Sequence, residues 1–472
     1  MESALNTAEY AALDATALAA LIARGEVTAA EAETAARAAV AAVNGDLNAL
    51  ARPLFDPALG SEPGGVLAGV PFLIKDSAPF ARNVPFALGS RSVRGAVAPA
   101  DHPMMSRFRA AGLVTIGQTT APEYSLSFAT ESRRYGVTRN PWALDRGVGG
   151  SSGGAAALVA AGAVPVAHGN DGAGSLRIPA SACGLVGLKP SRGRTPGTER
   201  QPGLGLPLGG EFVLTRTVRD AALMLDAVGD QWPADAGSHL SGTRRDPGAL
   251  RVAVTTAAFS GVAVDPQAAA AAVAAAGTLE WIGHRVVERS PAVETERVLD
   301  ALVLEAVAVG RAVLAAPRRP VAEELEAVSR RLLSETAGIS AARARASAAS
   351  QLAVTRSITG FFEEVDILVT PTLGALPARH GTLDYDDPWF DSPDSSVRDW
   401  MRRITDYGPF TAPFNVSGHP AISLPLGESV DGLPIGVQLV AAAGAEGLLL
   451  NVAAQLEQAM PWAQRQPPIW AG

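Results

Sequence analysis

Lys75, Ser151 and Ser175 are the residues whose types and surroundings point to chemistry. Lys75 closes the apolar run Val70-Pro71-Phe72-Leu73-Ile74, which reads as a buried strand. Removal from water lowers an amine's pKa and favours the neutral form, which can act as a general base. Ser175 ends the run Asp171-Gly172-Ala173-Gly174-Ser175. Its small residues let a carbonyl oxygen approach the backbone, so the N–H groups of Gly172, Ala173, Gly174 and Ser175 are candidate oxyanion donors. Ser151 lies in the turn Gly149-Gly150-Ser151-Ser152-Gly153-Gly154. A hydroxyl both donates and accepts, so Ser151 can relay a proton between the lysine and a nucleophilic Ser175.

Each element also has a plainer reading. A lysine at a strand end is ordinarily solvated. A GGSSGG turn alone is ordinarily a flexible loop or a helix start. A DGxGS run alone can bind phosphate. Other chemistries lack their signatures: His102, His168, His239, His284, His380 and His419 are scattered without metal-binding spacing. There is no GxSxG elbow and no GxxxxGK[ST] loop.

The elements that must position these residues alternate between strands and helices, which predicts an α/β fold with a central mixed sheet covered by helices. Residues 1–50 read as two amphipathic helices, the first stopped by Gly25 and the second opened by a Thr28–Glu31 capping box. An Ala-rich helix follows the GGSSGG turn from about Ala155. A helix and a strand fill 104–117, a strand spans Leu250–Thr255, and 300–362 is largely helical. Strands follow at Val365–Val369, Ala421–Pro425 and Ile435–Val440, and a last helix runs from about Glu446. Residues 376–412 read as irregular and aromatic-rich, either a lid over the pocket or a surface excursion packed by its own rings. Phe128, Ala129, Thr130, Tyr385 and Trp389 are the candidate substrate-pocket residues. No repeat and no clean linker divide the chain, so a single domain over 1–472 is expected.

A net charge of −8 argues against a nucleic-acid partner, which requires a basic patch. With Cys183 the only cysteine, no intrachain disulfide can form. The start Met1-Glu2-Ser3 lacks a basic leader, and the most apolar stretch, Ala155–Val166, is too short to span a bilayer. A cytoplasmic chain with no membrane partner, monomeric or homodimeric, is the expectation.

Taken together, the motifs resemble the amidase signature. They are Gly69 to Asp76, Thr138 to Trp142, Gly149 to Gly154, Asp171 to Ala180, Gly184 to Pro190 and Pro413 to Ala421, in the family's order and spacing. The resemblance implies an amidase signature fold and a serine hydrolase that cleaves amide-type C–N bonds without cofactor or metal. It implies Ser175 as nucleophile, Ser151 as bridging serine after a cis peptide bond, Lys75 as base, and Ser152, Asp171 and Arg177 as supports. Ala173 stands where the family usually has glycine, Gly172 where a larger residue is common, and Val148 where proline is frequent. The segments 167–171 and 413–420 look most like family members acting on nylon-type cyclic amide oligomers and related linear amides. The chain also looks similar to urethanases that cleave aryl carbamates, so the expected partner is a small amide or carbamate. A partner-dependent amidotransferase subunit is the alternative of another class.

Overall fold

The computed structural model describes residues 5–197, 206–232, 235 and 237–472, so the leader reading at Met1–Ser3 lies outside the described residues. Among them, ten strands form one mixed sheet. These are β1 (Pro71–Lys75), β2 (Val114–Thr119), β3 (Val166–Asp171), β4 (Val186–Lys189) and β5 (Gly210–Thr215). The rest are β6 (Arg251–Val254), β7 (Arg285–Glu288), β8 (Ile367–Pro371), β9 (Ala421–Glu428) and β10 (Pro434–Ala441). Their order across the sheet is β7-β6-β8-β10-β9-β4-β5-β3-β1-β2. β1 runs parallel to β2 and β3, and β6 runs parallel to β7 and β8. The strands between β3 and β8 pair antiparallel.

The parallel β1–β3 pair sets up the site. Phe72 and Leu73 are in register with Val166 and Ala167, so the two strands end at the same edge of the sheet. Every residue of β1 is buried, including its terminal lysine. Side chains alternate along a strand, so β3 sends Asn170 and Asp171 to opposite faces. The helix Gly153–Ala160 then starts directly after Ser151 and Ser152. A Cβ on Gly153 would lie 2.2 Å from Thr130 Oγ1, so only glycine lets this helix approach so closely.

Two segments differ from the sequence reading. The described residues among the first 50 hold three helices, Thr7–Ala12, Ala15–Ala23 and Ala29–Leu47. Asp14 divides the first two, because its carboxylate caps the Ala17 N–H and starts a new helix. The Thr28–Glu31 capping box is present as read. The segment 376–412 is not irregular throughout: it contains a 3₁₀ turn at Pro388–Asp391 and a helix at Val397–Tyr407. Ser396 and Asp399 form its capping box, and Val397, Trp400, Met401 and Ile404 make a buried stripe at helical spacing. Its helical period was masked by the number of aromatic residues around it. Among the described residues, no helix is long and apolar enough to cross a membrane.

Candidate active site

Lys75 Nζ lies 2.7 Å from Ser151 Oγ, 3.3 Å from Ser152 Oγ and 2.6 Å from Asn170 Oδ1. The peptide bond between Gly150 and Ser151 is cis. Burial lowers the amine's pKa from 10.5 to about 7, although Glu211, Asp171 and Asp76 pull the other way.

The hydrogen bonds around the amine limit how its N–H groups and lone pair can be used. Ser152 Oγ donates to the Asn170 carbonyl (3.2 Å) and accepts from the Asn170 N–H (3.3 Å), so toward Lys75 it can only accept. Asn170 turns its amide NH₂ to Ser77 Oγ (3.1 Å) and its oxygen to the lysine. A neutral amine has two N–H groups and one lone pair. Asn170 and Ser152 take the two N–H groups, which leaves the lone pair for the Ser151 O–H. Ser151 Oγ then has its own lone pairs free to accept a proton from another hydroxyl. Ser151 and Ser175 line the same cavity, though no hydrogen bond joins them in this structure. Such contacts commonly tighten only when substrate is bound.

The turn that carries Ser175 is braced from beneath. Arg177 grips both oxygens of Asp171 (2.9 Å each), and Asn415 Nδ2 bonds the same carboxylate at 2.9 Å. Burial pushes this carboxyl's pKa up, but Arg177 and Asn415 outweigh it and hold it near 2. Arg177 also donates to the Thr411 carbonyl (2.9 Å) and to Gln438 Oε1 (2.7 Å), while Thr411 Oγ1 donates to the Ala173 carbonyl (2.6 Å). Thus Asp171 and Arg177 are buried structural charges with matched partners. The N–H groups of Gly172, Ala173, Gly174 and Ser175 have no acceptor among the described residues. A Cβ on Gly172 would meet nothing within 4 Å, so that position opens into free space.

This architecture is shared with known proteins. The family model for amidases matches residues 21–450. The chain is a member of the amidase signature family. It is 40% identical to a 6-aminohexanoate-cyclic-dimer hydrolase of Pseudomonas sp. (strain NK87), with 97% of this chain and 96% of the relative aligned. Its structure is similar to that of a 6-aminohexanoate cyclic dimer hydrolase complexed with substrate, at a TM-score of 0.88 and 36% identity, covering 97% of this chain and 99% of that one. It is also similar to a bacterial aryl acylamidase, at a TM-score of 0.82 and 27% identity over 96% and 97% of the two chains. The protein is therefore an amide-bond hydrolase of that family with a mixed sheet flanked by helices.

In this amidase the serines face a cavity of about 780 Å³. Ser175, Ser151, Asn170, Gly172 and Ala173 form its floor. The helix Thr295–Leu314 contributes Leu302, Glu305, Ala306, Val309 and Val313 to the lining. Phe128, Met401 and Ile404 also line it. Of the expected pocket residues, only Phe128 is on the lining. Thr130 instead braces the glycine turn, donating to the Gly149 carbonyl (2.9 Å) and accepting from the Gly153 N–H (3.2 Å). Ala129 is buried beside it. Tyr385 is buried against Trp400, with ring centroids 5.1 Å apart, and Trp389 is exposed and lies edge-on to Phe390. Neither of these two rings lines the cavity. Trp400 acts from behind the wall: its indole N–H holds the Leu126 carbonyl at 2.7 Å.

His168 and Glu211 were not singled out in the sequence. The Lys75 backbone N–H points at His168 Nδ1 (3.4 Å), so the ring proton is on Nε2, which meets Glu211 Oε2 at 2.7 Å. Burial lowers the imidazole's pKa, in keeping with a neutral ring. The only signal for it was position: His168 shares its face of β3 with Asn170, two residues on.

Proposed function

We propose that this chain hydrolyses linear and aryl-substituted amides through an acyl-enzyme on Ser175. The observation that carries the reading is Lys75 Nζ 2.7 Å from Ser151 Oγ, with Asn170 and Ser152 placed to take the two N–H groups of a neutral amine and so leave its lone pair for the Ser151 hydroxyl. Ser151 passes its proton to Lys75 and takes the proton of Ser175. The Ser175 oxygen attacks the amide carbonyl, and the free N–H groups at 172–175 donate hydrogen bonds to the carbonyl oxygen as negative charge develops on it. The relay then runs backwards to protonate the departing amine, which is otherwise too poor a leaving group to go. Water attacks the ester by the same route and releases the acid. Relatives named for cyclic-dimer and aryl acylamide hydrolysis support a substrate of extended alkyl or aryl character, as does the apolar wall of the helix Thr295–Leu314.

An aryl carbamate offers the same carbonyl with an alkoxy group beside it, and the open space at Gly172 admits that group. Carbamate cleavage is therefore the second reading. Ser175→Ala is the test of the first. It is expected to remove both fluorophosphonate labelling and anilide hydrolysis while leaving the melting temperature unchanged. Near-parental turnover in that variant would overturn the assignment. Turnover by the isolated parental chain would exclude a partner-dependent amidotransferase subunit.

A further inference from the structure

One charged group on the cavity wall has no place in the proton relay. Glu305 is on the helix Thr295–Leu314, within the run Leu302-Val303-Leu304-Glu305-Ala306-Val307, and it faces the cavity with Leu302 and Val309 one turn to either side. A carboxylate among apolar side chains destabilises a helix face unless something binds it. Among the described residues, the protein donor turned toward it is the Leu208 backbone N–H. No side chain among the described residues forms an ion pair or hydrogen bond with it. Arg192, the cation that acts on it, gives its own hydrogen bonds to the carbonyls of Pro207, Asn415 and Val416 at 2.8, 2.7 and 2.8 Å.

The other charges on the lining are already occupied. Glu211 bonds His168, and Arg94 and Arg318 both pair with Glu324. Glu305 is left as a lining carboxyl with no side-chain hydrogen bond or ion pair among the described residues, with Arg192 acting on it only through its charge. Burial holds the Glu305 carboxyl above the ordinary carboxylate range, and a bound cation would reverse that.

From this geometry we infer that Glu305 is a specificity-determining residue that receives a protonated amine at the far end of an extended alkyl substrate while its carbonyl reaches Ser175. The inference deepens the amide-hydrolase reading and rests on it. Leu302, Val309 and Val313 take the alkyl chain, and Glu305 takes the ammonium. A carboxylate at the same end of the substrate is repelled.

Two measurements test it. In the first, hexylamine, hexan-1-ol and hexanoate are titrated by calorimetry into the parental enzyme and into the Glu305→Gln and Glu305→Leu variants. Hexylamine is expected to bind the parent at least ~10-fold more tightly than the alcohol, with hexanoate weakest, and both variants are expected to erase that order. In the second, kcat/KM is compared on 6-aminohexanoyl and heptanoyl p-nitroanilide, which differ only in ammonium against methyl. The parent is expected to favour the amine by about 10-fold, Glu305→Gln to lose the preference, and Glu305→Leu to reverse it. The melting temperature of each variant reports its folding. Equal binding of amine and alcohol by the parent would overturn the proposal, as would an amine preference that survives in Glu305→Gln. An amine preference in binding with no turnover of either anilide would uphold the role of Glu305 and refute the hydrolase reading instead. Turnover of both anilides at equal rates would do the reverse.

Discussion

Lys75 and Lys189 are both buried, and burial brings both amines from 10.5 down to about 7. Their surroundings differ in what the neutral amine can reach. Lys189 ends β4 and gives a hydrogen bond to the Pro190 carbonyl (2.7 Å), an acceptor that has no proton to offer. After desolvation, the charge of Arg177 is the next influence that lowers its pKa. Lys75 ends β1 with one hydroxyl in line with its lone pair, and that hydroxyl opens on the cavity. Burial makes a base of either residue. Only the donors and acceptors around it make one of them useful to a substrate, so a depressed lysine pKa alone does not identify the catalytic lysine.

Four results would break or sharpen this comparison. The largest expected effect is on turnover. Lys75→Met is expected to lose about 10³-fold or more in kcat on an anilide, within the range that general acid–base catalysis contributes. Lys189→Met is expected to stay within about 10-fold of the parent, since that residue touches nothing in the cavity. Steady-state kinetics on both variants, with circular dichroism to confirm folding, decides the matter, and equal losses would end the distinction.

The next effect is on pH. In the proposed relay Lys75 acts as the unprotonated amine, so kcat/KM should rise with pH through an apparent pKa of about 7. Lys189→Met should keep that midpoint. Stability carries a separate signature of both lysines. Between about 7 and 10.5 the unfolded chain binds the protons that the folded chain refuses, so stability rises with pH across that window. Removing Lys189 should flatten the rise: the variant gains on the parent as pH falls from 10 to 7. Thermal unfolding that shows no such relative gain would place a charged Lys189 in the folded state.

A third result concerns Asn170. Its carbonyl oxygen favours the protonated amine and also takes an N–H from the neutral one. Asn170→Ala should lower kcat about 10- to 100-fold, from loss of one buried hydrogen bond. It should also move the pH midpoint downward. A fall in rate with an unmoved midpoint would show that Asn170 supports the fold and does not hold the lysine. The smallest effect is expected at Trp389, which is exposed and away from the cavity. Trp389→Ala should change KM by less than about 2-fold for both a bulky anilide and a small activated ester. A selective rise for the bulky substrate would restore Trp389 to the pocket.

The sequence by itself determined the floor of the site. Lys75 at the end of an apolar run and two glycine-flanked serines are local patterns, and the resemblance to the amidase signature implied Asp171 and Arg177 as their supports. Strand ends, tight turns and helix starts are fixed by the chemistry of neighbours along the chain. The same locality explains why the Thr28–Glu31 cap was legible and why the break at Asp14 was not, since alanine periodicity runs through it. The supports and the ceiling were decided only by tertiary structure. Arg177 finds Asn415 and Gln438 more than 230 residues further on, and His168 finds Glu211 because β3 and β5 pair antiparallel. The sequence shows that 385–410 is rich in rings but not which way they face. Packing turned Tyr385 and Trp400 inward against each other, left Trp389 at the surface, and gave the cavity wall to an aliphatic helix. Apolar side chains bury wherever surface can be shared, without directional preference. Their destination therefore depends on the assembled fold, and so does the place of Glu305 on the cavity lining.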